Sequence, residues 1–226
     1  MTARESRAAL QVVTATAVGA SLDLLTRLNG SAEVRRSVLL DGIPEVVGYY
    51  SAGSAALAAD FYEEERELAA VRSRFTPELV VAERTAELRA AIAWSAAPLL
   101  TDLDDIATAS SRLAEVVQLE VARPYRDTIT TNRRNDPDAV GWRRITSGGC
   151  KFCRMLADRG AVYKRSTALF AAHPNCHCVA QPVFTTNDTG EEASVMQYVA
   201  SRRNRTPKQK AELRDYLNTY FEDFPG

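Results

Sequence analysis

Apolar residues recur every three or four positions through most of the first 133 residues, a pattern typical of amphipathic helices. The first predicted helix shows it most clearly, with apolar side chains at Leu10, Val13, Ala17, Ala20, Leu24 and Leu28. Asn29-Gly30 follows this stripe and predicts a helix end, because glycine readily adopts the left-handed conformation that closes many helices. A second helix is predicted to begin after Ser31. The first part of the chain is therefore predicted to be helical almost throughout.

Proline and cap residues predict where the later helices begin and end. Asp41-Gly42-Ile43-Pro44 predicts a break in the second helix, because proline lacks the amide donor that a helix interior needs. Thr76-Pro77-Glu78 predicts a helix start, with a hydroxyl cap followed by proline at the first helical position. Thr101 is predicted to cap the next helix, which continues towards Arg123-Pro124. Trp94 falls on a helix face, and we expect it to pack in a core.

The chain changes character at Asn132, where a charged, turn-rich segment begins. All four cysteines and both histidines follow it, and Val162-Tyr163 and Val179 to Phe184 are predicted to be short strands. We predict a mainly α protein in three parts. They are a multi-helix region over residues 1–133, a small α+β module stapled by metal over 134–190, and a basic helical tail over 191–226.

Charge is distributed unevenly although the net charge is only −1. The balance is −7 over residues 1–122 and +6 over residues 123–226. Five positive charges lie close together near the end of the chain, at Arg202, Arg203, Arg205, Lys208 and Lys210. Six more arginines join them in a predicted phosphate-binding surface: Arg123, Arg126, Arg133, Arg134, Arg143 and Arg144. The alternative is that these cations are simply solvated.

No membrane segment or signal peptide is predicted. The most apolar early stretch, Ala8 to Leu25, is interrupted by five polar residues, whereas a bilayer span needs about 20 predominantly apolar ones. Arg4 and Arg7 are offset by Glu5, and no small-residue cleavage site follows a compact apolar run. We therefore expect the protein to be made and assembled in a cytoplasm, without a membrane partner.

The cysteines form one cluster, Cys150-x2-Cys153 followed after nineteen residues by His173-x2-Cys176-x-Cys178. A Cys-x2-Cys turn lets two thiolates converge on a tetrahedral ion, and thiolate with imidazole favours zinc. The predicted ligands are Cys150, Cys153, His173, Cys176 and Cys178, with His177 the least favoured candidate. Six candidates for four positions leave the ligand set open. Two disulfides or a redox Cys-x2-Cys are alternatives, although nothing indicates export or a βαβ context.

The predicted zinc is structural. A catalytic zinc keeps an open position and usually has a nearby general base, but Asp158 is the only carboxylate between the two cysteine pairs. Both histidines belong to the cluster, which leaves none for a Ser-His or Cys-His arrangement. We therefore predict no catalytic residues and no enzyme. A metal-dependent hydrolase or transferase is the rival hypothesis, and a closed four-ligand shell would count against it. Trp142 is expected to cover the metal module.

These motifs resemble those of the MuF-like minor capsid proteins, the head morphogenesis proteins of tailed bacteriophages, especially those of actinobacterial hosts. The resemblance lies in Cys150-x2-Cys153, in His173-Pro-Asn-Cys176-His-Cys178 and in the following Gln181-Pro-Val-Phe184. It is specific over about residues 140–217 and general over the helical first part. His177 stands where the family more often has arginine or glycine.

The resemblance implies a structural virion protein that is built into the procapsid in a few copies. Its expected partners are the portal, the major capsid protein or a scaffolding protein, with packaged DNA as a further candidate. It would lie in the capsid interior of the virion, and in the host cytoplasm during assembly. The alternative function is a nucleic-acid-binding zinc protein that contacts DNA through its basic C-terminal half.

Overall fold

Four helices carry most of the described chain, and a two-stranded sheet lies against them. The computed structural model describes residues 1–101, 104–146, 151–157, 170, 172–173 and 175–185. The elements in chain order are α1 (Ala3–Arg27), α2 (Ala32–Leu68), α3 (Thr85–Ala96), a 3₁₀ turn (Ala97–Leu100), α4 (Ile106–Asn135), β1 (Gly141–Ile145), α5 (Lys151–Ala157) and β2 (Val179–Val183). The predicted fold class, mainly α with a minor β component, is confirmed.

The two ends of α1 follow from local sequence. Thr2 and Glu5 form a capping box at its start, and its C-cap is Leu28 in an extended conformation; Gly30, with a φ of 104°, lies in the connection to α2 and does not itself cap α1. Ser31 then caps α2, as predicted. The buried stripe of α1 is turned slightly from the predicted one and consists of Ser6, Leu10, Thr14, Ala17, Ser21 and Leu25. Three of these six residues, Ser6, Thr14 and Ser21, carry hydroxyl groups. These hydroxyls are satisfied internally; Ser21 Oγ, for example, donates to the carbonyl of Ala17 at 2.8 Å.

Helix α1 is also long and apolar enough to cross a membrane, judged by length and composition alone. Core helices and signal sequences pass the same test; one face of α1 packs against α2 and α4, and 28% of its apolar window is buried. The sequence analysis predicted that polar residues make Ala8 to Leu25 too polar for a bilayer span. By length and mean hydropathy α1 is nevertheless apolar enough for one, contrary to that expectation.

The predicted break in the second helix is wrong, because α2 continues through Pro44. Proline at this position leaves the carbonyl of Leu40, one turn earlier, without its helical donor. Arg89 of α3 supplies a replacement, since its Nη1 donates to that carbonyl at 3.0 Å. Helix α4 likewise continues through Pro124 to Asn135. Contacts between helices thus override a local break signal.

The predicted helix start at Thr76 is also wrong, because residues 76–84 are irregular and lie along α4. Asn132 of α4 exchanges hydrogen bonds of 2.8 Å with both the amide and the carbonyl of Glu78. Thr128 accepts from the amide of Val80 at 3.0 Å. Side chains of α4 therefore satisfy backbone groups that a helix would otherwise have paired.

Two further predictions about the helices need correction. Asp105, not Thr101, caps α4, since its carboxylate accepts from the amide of Thr108 at 2.9 Å. Trp94 is 49% exposed and lies under the guanidinium of Arg112, at 4.6 Å from ring centroid to Cζ, so it does not belong to a core.

Helix α4 is the central element, since it contacts α1, α2, α3 and both strands. One apolar cluster fills the space between the four long helices, and a second lies where the strands pack against α2 and α4. Strands β1 and β2 are antiparallel, with Gly141 opposite Val183 and Ile145 opposite Val179. The predicted strand at Val179 is thus confirmed. The division near residue 133 stays a prediction, and the expected strand at 162–163 and tail helices after 190 lie outside the described residues.

Candidate metal centre

Three buried cysteines meet at one end of the two-stranded sheet. Cys153 belongs to α5, Cys176 lies in the turn before β2, and Cys178 directly precedes that strand. Their Sγ atoms all lie within 4.8 Å of one another. The three residues are almost completely inaccessible to solvent. Chain segments separated by more than twenty residues therefore converge on one sulfur cluster.

A tight turn and the strand register position two of these thiols. Asn175 has a φ of 61°, a left-handed conformation that asparagine tolerates well, and the amide of Cys176 donates to the carbonyl of His173 at 3.1 Å. The antiparallel ladder that pairs Ile145 with Val179 brings Thr146 beside Cys178. The Cys178 thiol donates to Thr146 Oγ1 at 3.5 Å, a geometry within reach of a sulfur donor.

The spacing of the sulfur atoms suits a shared metal ion. Cys153 Sγ and Cys176 Sγ lie 3.8 Å apart. Two thiolates at the usual zinc–sulfur distance and a tetrahedral angle would be separated by about 3.8 Å. A disulfide would need about 2.0 Å, and all three cysteines are free. The donor set and its geometry therefore fit a metal ion better than a disulfide among the described cysteines.

One of the two histidines, His173, lies next to the sulfur atoms. His173 Nε2 is 3.1 Å from Cys153 Sγ. His177, by contrast, lies beside Gln11 of α1 and Gln118 of α4. Cys150 lies outside the described residues. The structure thus brings four of the five predicted ligands, Cys153, His173, Cys176 and Cys178, into one region, and the full ligand assignment stays a prediction.

Helix α4 holds the turn between the last two cysteines through polar side chains. Arg126 donates from Nε to the carbonyl of Cys178 at 3.1 Å and from Nη2 to the carbonyl of Cys176 at 2.6 Å. Gln118, two helical turns earlier on the same face, donates to the carbonyl of Cys176 at 3.0 Å. The turn is therefore attached to the helical body by three hydrogen bonds from two side chains.

A second buried arginine approaches the sulfurs themselves. Arg144 of β1 is only 1% exposed, and its Nη1 lies 3.9 Å from both Cys153 Sγ and Cys176 Sγ. Its guanidinium stacks on the ring of Phe170, at 3.9 Å from the centroid. Trp142 stacks on the same ring at 5.4 Å, and Phe170 packs against the cysteines. Trp142 itself belongs to the apolar cluster between the strands and the helices, and the expectation that it covers this module stays a prediction.

Burial and mutual contact perturb the ionisable groups here. Hydrogen bonds with Cys176 and Cys178 raise the pKa of the Cys153 thiol, because the cluster holds one negative charge more readily than two. Burial lowers the pKa of the Arg126 guanidinium from its ordinary value, and the nearby cysteines partly oppose that effect. Burial also lowers the pKa of His177, which favours its neutral form.

Comparison with known proteins assigns the family. The family described as VG15 protein matches residues 1–204, which covers both the helices and the cysteine cluster. The chain belongs to the VG15 protein family. This is a phage-associated family of viral gene products, so the expectation of a phage protein is confirmed at that level. No curated protein and no solved structure matches the chain.

Sequence reasoning placed some of these residues in the wrong role. Arg126, Arg133 and Arg144 were expected on a phosphate-binding surface, whereas all three are buried. Arg126 shares a helical face with the buried Ala122 and Ile129, which is the signal that could have revealed its position. Arg134 is exposed, and Arg123 and Arg143 are partly exposed. The other basic candidates, Arg202, Arg203, Arg205, Lys208 and Lys210, lie outside the described residues.

Proposed function

We propose that this VG15 family member is a minor capsid or head morphogenesis protein of the MuF-like kind, a structural component of the virion and not an enzyme. The observation that carries the proposal is the family match, which spans residues 1–204 and therefore includes the cysteine motif that resembles MuF-like proteins. The protein would be assembled in the host cytoplasm and lie in the capsid interior. This role requires binding and rigidity, and it requires no substrate chemistry.

We further propose that the cysteine cluster holds a structural zinc ion. Cys153, Cys176 and Cys178 would supply three ligands, with the fourth coming from His173 or Cys150. Zinc bound there would cross-link α5, the turn before β2 and the sheet, a module too small to supply much core of its own. The near-complete burial of the three cysteines supports a structural role, because a substrate or a catalytic water molecule would need access.

The proposed partners are the portal, the major capsid protein or a scaffolding protein. Support comes from large apolar and aromatic side chains that the helical part exposes, of which Tyr49 and Trp94 are the largest. Aromatic side chains are enriched at the centres of protein interfaces, where they contribute much of the binding energy. The acidic balance of the first 122 residues would favour a partner surface with positive charge.

Packaged DNA is a weaker candidate partner. Three of the arginines that would have widened a basic surface are buried, so DNA contact would depend on residues 202–210 and on the few exposed arginines. A DNA-binding protein acting outside any capsid would show affinity that falls steeply with salt, because phosphate contacts release counterions. Little binding at low salt would remove that alternative.

Co-assembly tests the virion role. The protein is expressed with the portal, capsid and scaffolding proteins of the phage that encodes it, and procapsids are purified by sedimentation. We expect it to co-sediment at a small fixed ratio to capsid protein and to be lost when one partner is omitted. A Tyr49→Asp, Trp94→Asp variant should fold and yet fail to enter procapsids. Glu63→Lys, a substitution at another exposed position of α2, is the control and should enter procapsids as wild type does. Wild-type protein that never enters procapsids would contradict the proposal.

Metal content tests the zinc site separately. Inductively coupled plasma mass spectrometry of the purified, reduced protein should give one zinc per chain. A Cys153→Ser, Cys176→Ser variant should contain none, whereas a variant of His177, which lies beside α1 and α4, should keep it. Metal-free wild-type protein would rule out the structural zinc without excluding the capsid role.

A further inference from the structure

Arg126 is a full positive charge inside the protein. It lies in the middle of α4 and is 3% exposed. Within the described residues no carboxylate lies at ion-pair distance from it. Its guanidinium contacts the carbonyls of Cys176 and Cys178 and the ring of Phe170, whose centroid lies 5.0 Å from Cζ. A buried charge is costly unless an opposite charge lies nearby, so this arginine calls for an anionic neighbour.

Asp127, the next residue of α4, interacts with Arg126 electrostatically, and the cysteine cluster is the source of negative charge whose backbone the guanidinium contacts. Metal binding deprotonates the ligand thiols, so three thiolates around one divalent ion carry a net charge of about −1 and four carry about −2. Both carbonyls that Arg126 contacts belong to members of the cluster. Arg144 approaches the same sulfurs from the strand side. Arg126 therefore approaches the cysteine cluster from α4, and Arg144 approaches it from β1.

We propose that Arg126 is the counter-ion and positioning residue of the metal–thiolate centre, through which metal binding is coupled to docking of the sheet on α4. The inference rests on the proposed metal site and adds to it a residue of the helical body. Its guanidinium holds the Cys176–Cys178 turn through two carbonyls and balances the charge of the bound ligands. Arg126 thus acts through the ligands and is not itself a ligand.

The chain offers two matched controls on the same helix. Gln118 donates to the same Cys176 carbonyl but is neutral, so Gln118→Met removes a hydrogen bond and no charge. Arg123 pairs with Glu120 and is partly exposed, so Arg123→Met removes a positive charge of the same helix whose guanidinium bonds Glu120 and not the carbonyls of the turn. Arg126→Lys keeps the positive charge with fewer donors, and Arg126→Met keeps most of the apolar stem without the charge.

Metal affinity is measured with full-length protein by competition between the cluster and a chromophoric chelator for Zn²⁺, and repeated with Co²⁺. We expect Arg126→Met to weaken binding by about 10- to 100-fold, as loss of a residue that supports metal ligands generally does. Gln118→Met should weaken it by about fivefold or less, the value of one neutral hydrogen bond. Arg123→Met should leave it unchanged, and Arg126→Lys should fall between wild type and Arg126→Met.

Two further readouts separate a counter-ion from a purely structural arginine. The melting temperature of Arg126→Met should fall more in metal-saturated protein than in chelated protein, because the lost interaction involves the metal-bound state. The sulfur-to-cobalt charge-transfer band should move to lower energy, since a thiolate that loses a neighbouring positive charge gives up electrons more easily. Arg126→Lys should restore the position of that band.

Each alternative result is decisive. If Arg126→Met binds metal as tightly as wild type, or is destabilised equally with and without metal, the counter-ion role is refuted. It is also refuted if Gln118→Met and Arg126→Met weaken binding equally, because hydrogen bonding alone would then explain both. If wild-type protein binds no metal, the proposed zinc site itself fails, and that failure is distinguishable because it precedes any comparison of variants.

Discussion

The buried ion pair between Arg66 and Asp136 joins α2 to the segment that leads into β1. The Asp136 side chain is fully buried and that of Arg66 is 6% exposed. The carboxylate accepts from Arg66 Nη1, from the Tyr62 hydroxyl at 3.1 Å and from the amide of Asp138 at 3.0 Å. Asp136→Ala would remove all three interactions and leave the guanidinium buried beside a cavity.

The expected cost can be worked out from these contacts. Breaking a buried ion pair by deleting one partner typically costs about 3–5 kcal/mol. Arg66 would keep its hydrogen bonds to Ser73, at 2.8 Å to the carbonyl, and its stacking on Phe75. We therefore expect the lower end of that range, about 3 kcal/mol of unfolding free energy. Asp138→Ala is the control, because its carboxylate is 41% exposed and lies 3.9 Å from Arg66, so the lost ion pair should cost about 1 kcal/mol or less.

The assay is urea unfolding followed by circular dichroism at 222 nm, at one fixed metal concentration for all variants. An Arg66→Met, Asp136→Ala double variant completes the cycle, and it should be no less stable than Asp136→Ala alone because no buried charge remains unpaired. Equal destabilisation by Asp136→Ala and Asp138→Ala would refute the reasoning. Strictly additive effects of Arg66→Met and Asp136→Ala would also refute it, since the two residues would then not interact.

Three further predictions concern pH, helix α2 and the metal. Burial raises the pKa of the Tyr62 and Tyr125 phenols, so the folded protein keeps both protonated at a pH where the unfolded chain ionises them. The free energy of unfolding should therefore fall as pH rises above about 10. Urea unfolding midpoints measured between about pH 8 and 11 should show this decline, and Tyr125→Phe should reduce it. Gly48→Ala should stabilise α2 by about 0.5–1 kcal/mol, since a methyl group there meets nothing within 4 Å, while Gly42→Ala should gain less because its Cβ would lie 3.0 Å from a leucine of α1; equal gains in thermal unfolding would contradict this account. Cys176→Ser should abolish the difference in stability between metal-saturated and chelated protein, which for wild type at a free metal concentration of 100 times Kd is about 2.7 kcal/mol; a difference that persists in the variant would show that Cys176 is not a ligand.

The sequence predicted the elements that depend on local chemistry. Ser31 begins α2 because a hydroxyl cap acts within one helical turn, whereas α1 ends at an extended Leu28 and the left-handed Gly30 lies in the connection that follows. The predictions failed at Pro44 and Thr76, where the decisive partners lie far along the chain. Arg89 replaces the donor that Pro44 lacks. Asn132 bonds the backbone of Glu78, in the segment where Thr76-Pro77 predicted the start of a helix.

The candidate site divides in the same way. The cysteine and histidine motif could be found from spacing alone, because metal ligands on a short turn are a property of neighbouring residues. The burial of Arg126 and Arg144 beside the cluster was not predicted, because the sequence motif alone does not show whether an arginine is buried or solvated. Their roles became visible only when α4 and β1 had brought them to the carbonyls and sulfurs of the cluster.

By itself, then, the sequence determined that the chain is mainly helical, that its cysteines cluster and that the cluster resembles that of phage head proteins. The helical pattern depends on residues a few positions apart, and the cysteine motif consists of two short groups of residues within positions 150–178. The tertiary structure decided which helices continue through their prolines, which arginines are buried and how the cysteine turn is held on α4. Those outcomes depend on contacts between residues up to 58 positions apart. Local propensities of roughly 1 kcal/mol are readily outweighed by packing and by buried hydrogen bonds.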